Sequence, residues 1–212
     1  MGAEMELWLV RHGETEWSAA GRHTSRTDIP LTELGRRRAA VLGKYLAGTK
    51  FAAVLRSPML RAKQTCEIAG FGDVAVVDDG LKEWDYGVYE GRTSKDIQAE
   101  IPGWSVWTSP IVGGETVEQV GARADAVLAR VTPLLAGGDV ALVGHGHSLR
   151  VLTARWLGLE PAACRLFRLD TGTVCTLARE HDRPVIISWN VPARGQGPAA
   201  GPGLRRSRRA IP

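Results

Sequence analysis

The residues with the clearest chemical potential are Val10-Arg11-His12-Gly13-Glu14-Thr15, which follow directly on the apolar run Leu7-Trp8-Leu9-Val10. A strand that ends in a glycine-containing loop aims backbone N–H groups and fixed side chains at one point, as a phosphate site on an α/β sheet requires. His12 there can attack phosphorus through its unprotonated ring nitrogen, while the Arg11 guanidinium offsets the phosphoryl charge that would repel it. Taken alone, a packed strand-end histidine beside a surface arginine is the commoner meaning of such a pair.

Three further stretches supply what such a histidine needs. The first opens with the short apolar strand Phe51-Ala52-Ala53-Val54-Leu55 and continues Arg56-Ser57-Pro58-Met59-Leu60-Arg61-Ala62-Lys63-Gln64-Thr65. Ser57 is expected as an N-cap and Pro58 as the first helical residue, where its missing N–H costs nothing. Arg61 then falls in the first turn, a poor place for a cation in a helix but a good one for gripping an anion. The plainer alternative is a solvated arginine.

The second is Asp139-Val140-Ala141-Leu142-Val143-Gly144-His145-Gly146-His147-Ser148-Leu149-Arg150. A buried-type strand again runs into a glycine-flanked histidine. Gly144 and Gly146 allow close approach of the backbone to a ligand, and His145 can donate to a phosphoryl oxygen. Metal ligation by His145 and His147 is disfavoured: the chain has five histidines and shows neither His-Glu-x-x-His nor a paired-cysteine spacing.

The third is Leu81-Lys82-Glu83-Trp84-Asp85-Tyr86-Gly87-Val88-Tyr89-Glu90-Gly91. Cleaving a phosphate ester requires a proton for the departing oxygen, and a carboxyl flanked by aromatic surface can hold one near neutrality. Glu83 is the preferred donor, with Asp85, Glu90 and the pair Asp78-Asp79 as competitors that the residues alone do not eliminate.

Stepping through the chain, strands are expected near 5–10, 51–56, 74–77, 139–144, 173–178 and 185–190, and helices near 32–47, 58–69, 116–135 and 148–157. Val117, Val120, Ala124, Val127, Leu128, Val131 and Leu135 recur at helical spacing and mark one buried face. Such alternation predicts an α/β fold of three layers, α/β/α, with a mostly parallel central sheet and ligands beyond the carboxyl ends of its strands.

Leu9-Val10-Arg11-His12-Gly13-Glu14-Thr15-Glu16-Trp17, Asp28-Ile29-Pro30-Leu31-Thr32-Glu33-Leu34-Gly35, Ser57 to Thr65, Glu83 to Gly91 and Gly144-His145-Gly146 together resemble the histidine phosphatase superfamily, also called phosphoglycerate mutase-like, from about residue 5 to 160. The resemblance implies that His12 is the phosphorylated nucleophile, that Arg11, Arg61 and His145 form the phosphate pocket, and that Glu83 is the proton donor. Ser18 stands where many members carry Asn, and Thr24-Ser25 where many carry Gln-Gly, so the rim is altered. Mutases of the family typically have an arginine after the glutamate and a longer basic insertion; here Trp84 follows Glu83, and the stretch 92–115 is short and contains Trp104 and Trp107. These departures favour a phosphatase with a partly apolar pocket walled by Trp84, Tyr86, Trp104 and Trp107, although core packing is an equal reading of those rings. Beyond Arg11 and Arg61, the expected substrate contacts are Ser18, Thr24, Ser25, Tyr86 and Gly146.

At 212 residues and 44% hydrophobic, the chain has material for one large core. Residues 1–192 are expected to form the histidine phosphatase domain, and 193–212 a basic Gly/Pro/Arg-rich tail that is disordered. The tail's five arginines and no acids exceed the net charge of +4, so the body stands at about −1 and the pI of about 9.2 does not signal nucleic-acid binding. Cys66, Cys164 and Cys175 are too few and scattered for a disulfide framework and suit a reducing cytoplasm. No stretch approaches a membrane span, and Met1-Gly2 lacks the hydroxyl residue of a myristoylation signal because Glu6 stands there.

These readings converge on a metal-independent phosphomonoesterase without a cofactor. Its expected partner is a small phosphorylated metabolite, cleaved by a broad-specificity acid phosphatase or sugar-phosphate phosphatase through a phosphohistidine. A homodimer is an accompanying expectation. The alternatives are a phosphoglycerate mutase-type phosphotransferase and a catalytically weak phosphate-binding regulatory protein.

Overall fold

Leu7-Trp8-Leu9-Val10 and Val140-Ala141-Leu142-Val143 are apolar at every position, the pattern of strands buried on both faces. The computed structural model, which describes residues 5–193, places both at the centre of a six-stranded sheet. The readings of Met1-Gly2 and of the tail beyond Ala193 fall outside the described residues. In chain order the elements are β1 (Leu7–Arg11), α1 (Glu16–Ala19), α2 (Glu33–Leu46), β2 (Phe51–Arg56), α3 (Leu60–Ile68), β3 (Ala75–Val77), α4 (Ser94–Glu100), α5 (Val117–Val131), β4 (Asp139–Gly144), α6 (Gly146–Trp156), β5 (Thr173–Glu180) and β6 (Arg183–Pro192).

The period-2 alternation of the central strands divides the core. Leu7, Leu9, Val140 and Leu142 pack with Val120 and Val127 of α5 and Leu149 and Leu152 of α6. Trp8, Val10, Ala141 and Val143 pack with Leu42 and Leu46 of α2 and Ala62 and Cys66 of α3. The expected three layers follow, with helices on both faces of the sheet.

Strand order is β3-β2-β4-β1-β5-β6. The first four strands run parallel, β5 is antiparallel to β1, and β6 is antiparallel to β5. Arg11 is the register partner of Gly144, and Arg56 that of Val143. The residues that follow these strands, His12, His145 and Ser57, therefore emerge side by side at one sheet edge.

Strand ends fall within two residues of expectation, and three helix boundaries differ by two residues or more. α3 starts at Leu60 with Met59 at its N-cap, and the Ser57 hydroxyl is shared: it accepts from Met59 N at 3.3 Å and from His145 at 2.7 Å. α5 stops at Val131 because Pro133 has no N–H to extend the ladder, and 132–137 tightens into a 3₁₀ turn. α6 begins two residues early, at Gly146. The short helices α1 and α4 were not expected; they are carried by the capping boxes Thr15/Ser18 and Thr93/Asp96, too short for hydrophobic periodicity to reveal. No helix among the described residues is long and apolar enough to cross a membrane.

Candidate active site

The pairing of β1 with β4 brings the two expected histidines together, with ring centroids 5.1 Å apart. His12 Nδ1 lies 2.7 Å from the Gly13 carbonyl, which can only accept, so Nδ1 carries the proton and Nε2 keeps its lone pair. His145 is held the other way round. Arg61 Nε donates to its Nδ1 at 3.1 Å, and its Nε2–H donates to Ser57 Oγ at 2.7 Å. Both imidazoles are driven well below their ordinary pKa: burial dominates for each, and the Arg61 guanidinium is the next cause.

Arg11, His12, Ser18, Thr24, Glu83, Tyr86 and Gly146 line one cleft of about 230 Å³. Arg61, His145 and Ser25 do not line it; the first two are fully enclosed. Arg61 instead fastens the loop 24–27, donating to the carbonyls of Thr24, Ser25 and Thr27 at 3.2 Å each. Ser25 hydrogen-bonds away from the cleft, its Oγ donating to the Glu83 carbonyl.

Arg11 has donors to spare. One guanidinium nitrogen, Nη1, donates to the Leu169 carbonyl, while Nε is buried with no partner, a costly state unless an acceptor arrives. Gly146 presses on this group: a Cβ there would lie 3.0 Å from Arg11 Cζ. The close approach expected of Gly146 is thus to the arginine rather than directly to a ligand.

Glu83 is fixed at the start of α6. Its Oε1 accepts from the Trp84 and Ser148 N–H groups at 2.9 and 2.8 Å, and Oε2 accepts from His147 N at 3.0 Å, which leaves Oε2 with acceptor capacity. Backbone donors, not the expected aromatic surface, hold this carboxyl. Its competitors are committed elsewhere: Glu90 accepts from the N–H groups of Ser25 and Thr27, Asp85 from Gly87 N, and Asp78 pairs with Arg130. Asp79 forms an ion pair with Lys82.

The aromatic wall is corrected. Trp84 and Trp104 are buried in the core, the former tied by Nε1–H to the Glu115 carbonyl, and Trp107 lies half-buried beneath His147 at a centroid distance of 4.4 Å. Of the four rings only Tyr86 lines the cleft, where its hydroxyl sits 2.7 Å from His147 Nδ1. Burial, with the nearby Glu83 carboxylate, pushes the Tyr86 phenol well above its ordinary pKa, so it stays protonated.

The rest of the lining was not foreseen. His23, His147, Arg22, Arg150 and Ser94 make the cleft polar rather than partly apolar. His23 Nε2 lies 3.2 Å from Ser94 Oγ, and burial lowers its pKa to about 4. Burial, then His23 and Arg150, keep His147 neutral as well. Arg150 stacks on Trp107 at 4.3 Å. His147 and Arg150 stood in a stretch already singled out; Arg22 and Ser94 carried no signal, because the bridge Arg22–Thr93 that joins them is tertiary. Among the described residues no group of three or more His, Cys, Asp and Glu side chains is placed to hold a metal ion.

The chain matches the family description "histidine phosphatase superfamily (branch 1)" over residues 7–192. It is 38% identical over 197 residues to an acid phosphatase of Mycobacterium tuberculosis, covering 92% of this chain and 97% of the relative. It is 35% identical over 182 residues to sedoheptulose 1,7-bisphosphatase of Saccharomyces cerevisiae, covering 71% and 67%. A solved structure of a Mycobacterium tuberculosis open reading frame product superposes with a TM-score of 0.86 at 36% identity, over 90% of this chain and 99% of that one. With an Arg-His pair, a buried glutamate and a second histidine converging at one sheet edge and the match running almost from end to end, the chain belongs to branch 1 of the histidine phosphatase superfamily.

Proposed function

We propose that the protein hydrolyses small, polar phosphomonoesters through a phosphorylated His12. The observation that carries this reading is the unprotonated Nε2 of His12 in a cleft shared with the unpaired Arg11 Nε and the carboxyl of Glu83. The phosphoryl oxygens bind against Arg11, with Ser18, Thr24 and loop N–H groups around them. His12 Nε2 attacks phosphorus as the ester P–O bond breaks, and protonated Glu83 gives its proton to the departing oxygen. Water then loses a proton to Glu83 and attacks phosphorus; the P–N bond breaks and inorganic phosphate leaves. Arg61 and His145 act from behind: Arg61 holds His145 and the rim loop, and burial, reinforced by the Arg61 charge, keeps His12 unprotonated. Most of the acceleration comes from positioning and cations around the equatorial oxygens, and no step calls on a metal.

The polar lining favours a sugar-phosphate type of substrate over an aryl or aliphatic one, because His23, His147, Ser94 and Tyr86 offer neutral donors and acceptors to hydroxyl groups while Arg22 and Arg150 add charge. Similarity to an acid phosphatase and a sugar bisphosphatase supports the same class. Three buried, unpaired thiols fit a reducing cytoplasm, and the exposed valines 74, 76 and 77 at the sheet's β3 edge fit a homodimer.

A panel of sugar phosphates, bisphosphates and 3-phosphoglycerate assayed with excess EDTA tests the reading. Phosphate release without added metal is expected. An isomerised phosphoester without phosphate release would make the protein a mutase, complete loss in chelator would end the metal-free mechanism, and binding without turnover would leave a phosphate-binding protein.

A further inference from the structure

The loop that carries Glu83 is fastened from outside the cleft by one ion pair. Arg123, on α5, engages all five guanidinium N–H groups, two with Glu115 and three with the loop itself. Nε and Nη2 donate to the two carboxylate oxygens of Glu115 at 2.9 and 2.8 Å. Nη1 donates to the carbonyls of Gly80 and Lys82 at 2.8 and 2.7 Å, and Nη2 reaches the Glu83 carbonyl at 3.4 Å. Glu115 grips the other side of Glu83: its carboxylate accepts from Asp85 N at 2.9 Å, its own N–H donates to the Asp85 carbonyl at 3.0 Å, and its carbonyl accepts from Trp84 Nε1.

Residues 80, 82 and 83 are thus held by one partner, and 84 and 85 by the other, with the pair joined through a bidentate bridge three-quarters or more buried. Neither side chain lines the phosphate cleft. None of these bonds involves His12, Arg11 or the residues that hold them, among them Gly13, Gly144, Gly146, Leu169 and Gly172. Slackening this clamp therefore moves the proton donor and leaves the nucleophile and the phosphate-binding arginine in place.

We infer that Arg123 and Glu115 are positioning residues for proton transfer, setting where the Glu83 carboxyl meets the leaving oxygen. The inference rests on the proposed role of Glu83. Its signature is dependence on the leaving group. An alkoxide must be protonated as it departs, whereas 4-nitrophenolate leaves readily without a proton, so a displaced donor harms alkyl esters selectively. The ratio kcat/KM is the right quantity, because it reports the phosphorylation step and excludes the hydrolysis that both substrates share.

For Arg123→Lys, which keeps the charge but cannot span the bidentate bridge, kcat/KM for an alkyl phosphate such as glycerol phosphate should fall about tenfold or more, with 4-nitrophenyl phosphate falling no more than about threefold. Glu115→Gln should show the same selectivity and serves as the working variant if Arg123→Lys does not fold by thermal melting. Glu83→Gln should be more selective still, and adding Arg123→Lys to it should cause no further selective loss. Equal losses on both esters in Arg123→Lys and Glu115→Gln, with Glu83→Gln selective, would overturn the inference while leaving the phosphatase reading intact. A Glu83→Gln variant with no selectivity would overturn the donor role and the inference together.

Discussion

His12 and His145 face each other across 5.1 Å at an interplanar angle of 61° and carry opposite tautomers. Each tautomer is dictated by one partner that has a single option: a carbonyl that can only accept for His12, a guanidinium that can only donate for His145. The consequence is a free lone pair on His12 Nε2, with the positive charge of Arg61 held behind it.

Depressed imidazole pKa values give a defined pH dependence. His12, His145 and His147 lie well below 6.5, and His23 lies at about 4. The unfolded chain protonates these groups near pH 6.5 and the native one does not, so native stability is complete above that pH and is lost as pH falls toward the native values. Each such histidine contributes up to about 1.4 kcal/mol per pH unit in that window. Thermal melting from pH 7.5 down to 4.5 should show a falling Tm that vanadate or phosphate partly restores. In kcat/KM, the acid limb set by His12 should lie below pH 6.5, so activity persists into acid; a limb at or above 6.5 would contradict the buried, neutral nucleophile.

Gly146→Ala should separate binding from stability. The residue opens α6, where alanine is tolerated, yet its Cβ would come within 3.0 Å of Arg11 Cζ. Shifting that guanidinium weakens a charge-assisted contact worth about 1.5–3 kcal/mol, so kcat/KM should drop roughly 10- to 100-fold with Tm nearly unchanged. Enzyme kinetics and a vanadate titration check this.

Ser57→Ala should act through His145. It strips the buried Nε2–H of its only acceptor, which costs about 1–3 kcal/mol and loosens the ring, while Arg61 still fixes its tautomer. Urea unfolding should show that loss of stability, accompanied by reduced turnover. Unchanged stability would mean that the Ser57 contact does not fix the ring.

The three thiols should be inert in the native protein. Burial pushes Cys66 and Cys175 up to about 12 and Cys164 up to about 11. A thiol-disulfide dye at pH 8 should titrate no cysteine before denaturant is added and three afterwards.

Much of this was legible in the sequence because the information is local. The runs 7–10 and 140–143 are apolar throughout, and the residues that follow them, His12 and His145, are placed simply by where a strand stops. Glu83 was less legible. What separates it from Asp85 and Glu90 is which backbone N–H groups meet each carboxyl, and those of His147 and Ser148 come from 64 and 65 residues away. Ser57 carries the composition of an N-cap and does accept from Met59 N at 3.3 Å, but its shorter bond, at 2.7 Å, is to His145 from 88 residues away, which local composition does not disclose. An aromatic residue in a sequence does not disclose whether it faces core or cleft: Trp84 and Trp104 went inside, and the wall they were expected to form is built from His23, His147 and Arg150.

The most direct test of His12 as the nucleophile is to trap the phosphorylated intermediate. Wild-type protein mixed with a turning-over phosphomonoester and quenched in alkali within milliseconds should carry one acid-labile, base-stable phosphoryl group, mapped by mass spectrometry to the peptide containing His12. His12→Ala should carry none and release no phosphate. Label on another residue, or turnover surviving in His12→Ala, would contradict the assignment of His12 as the nucleophile.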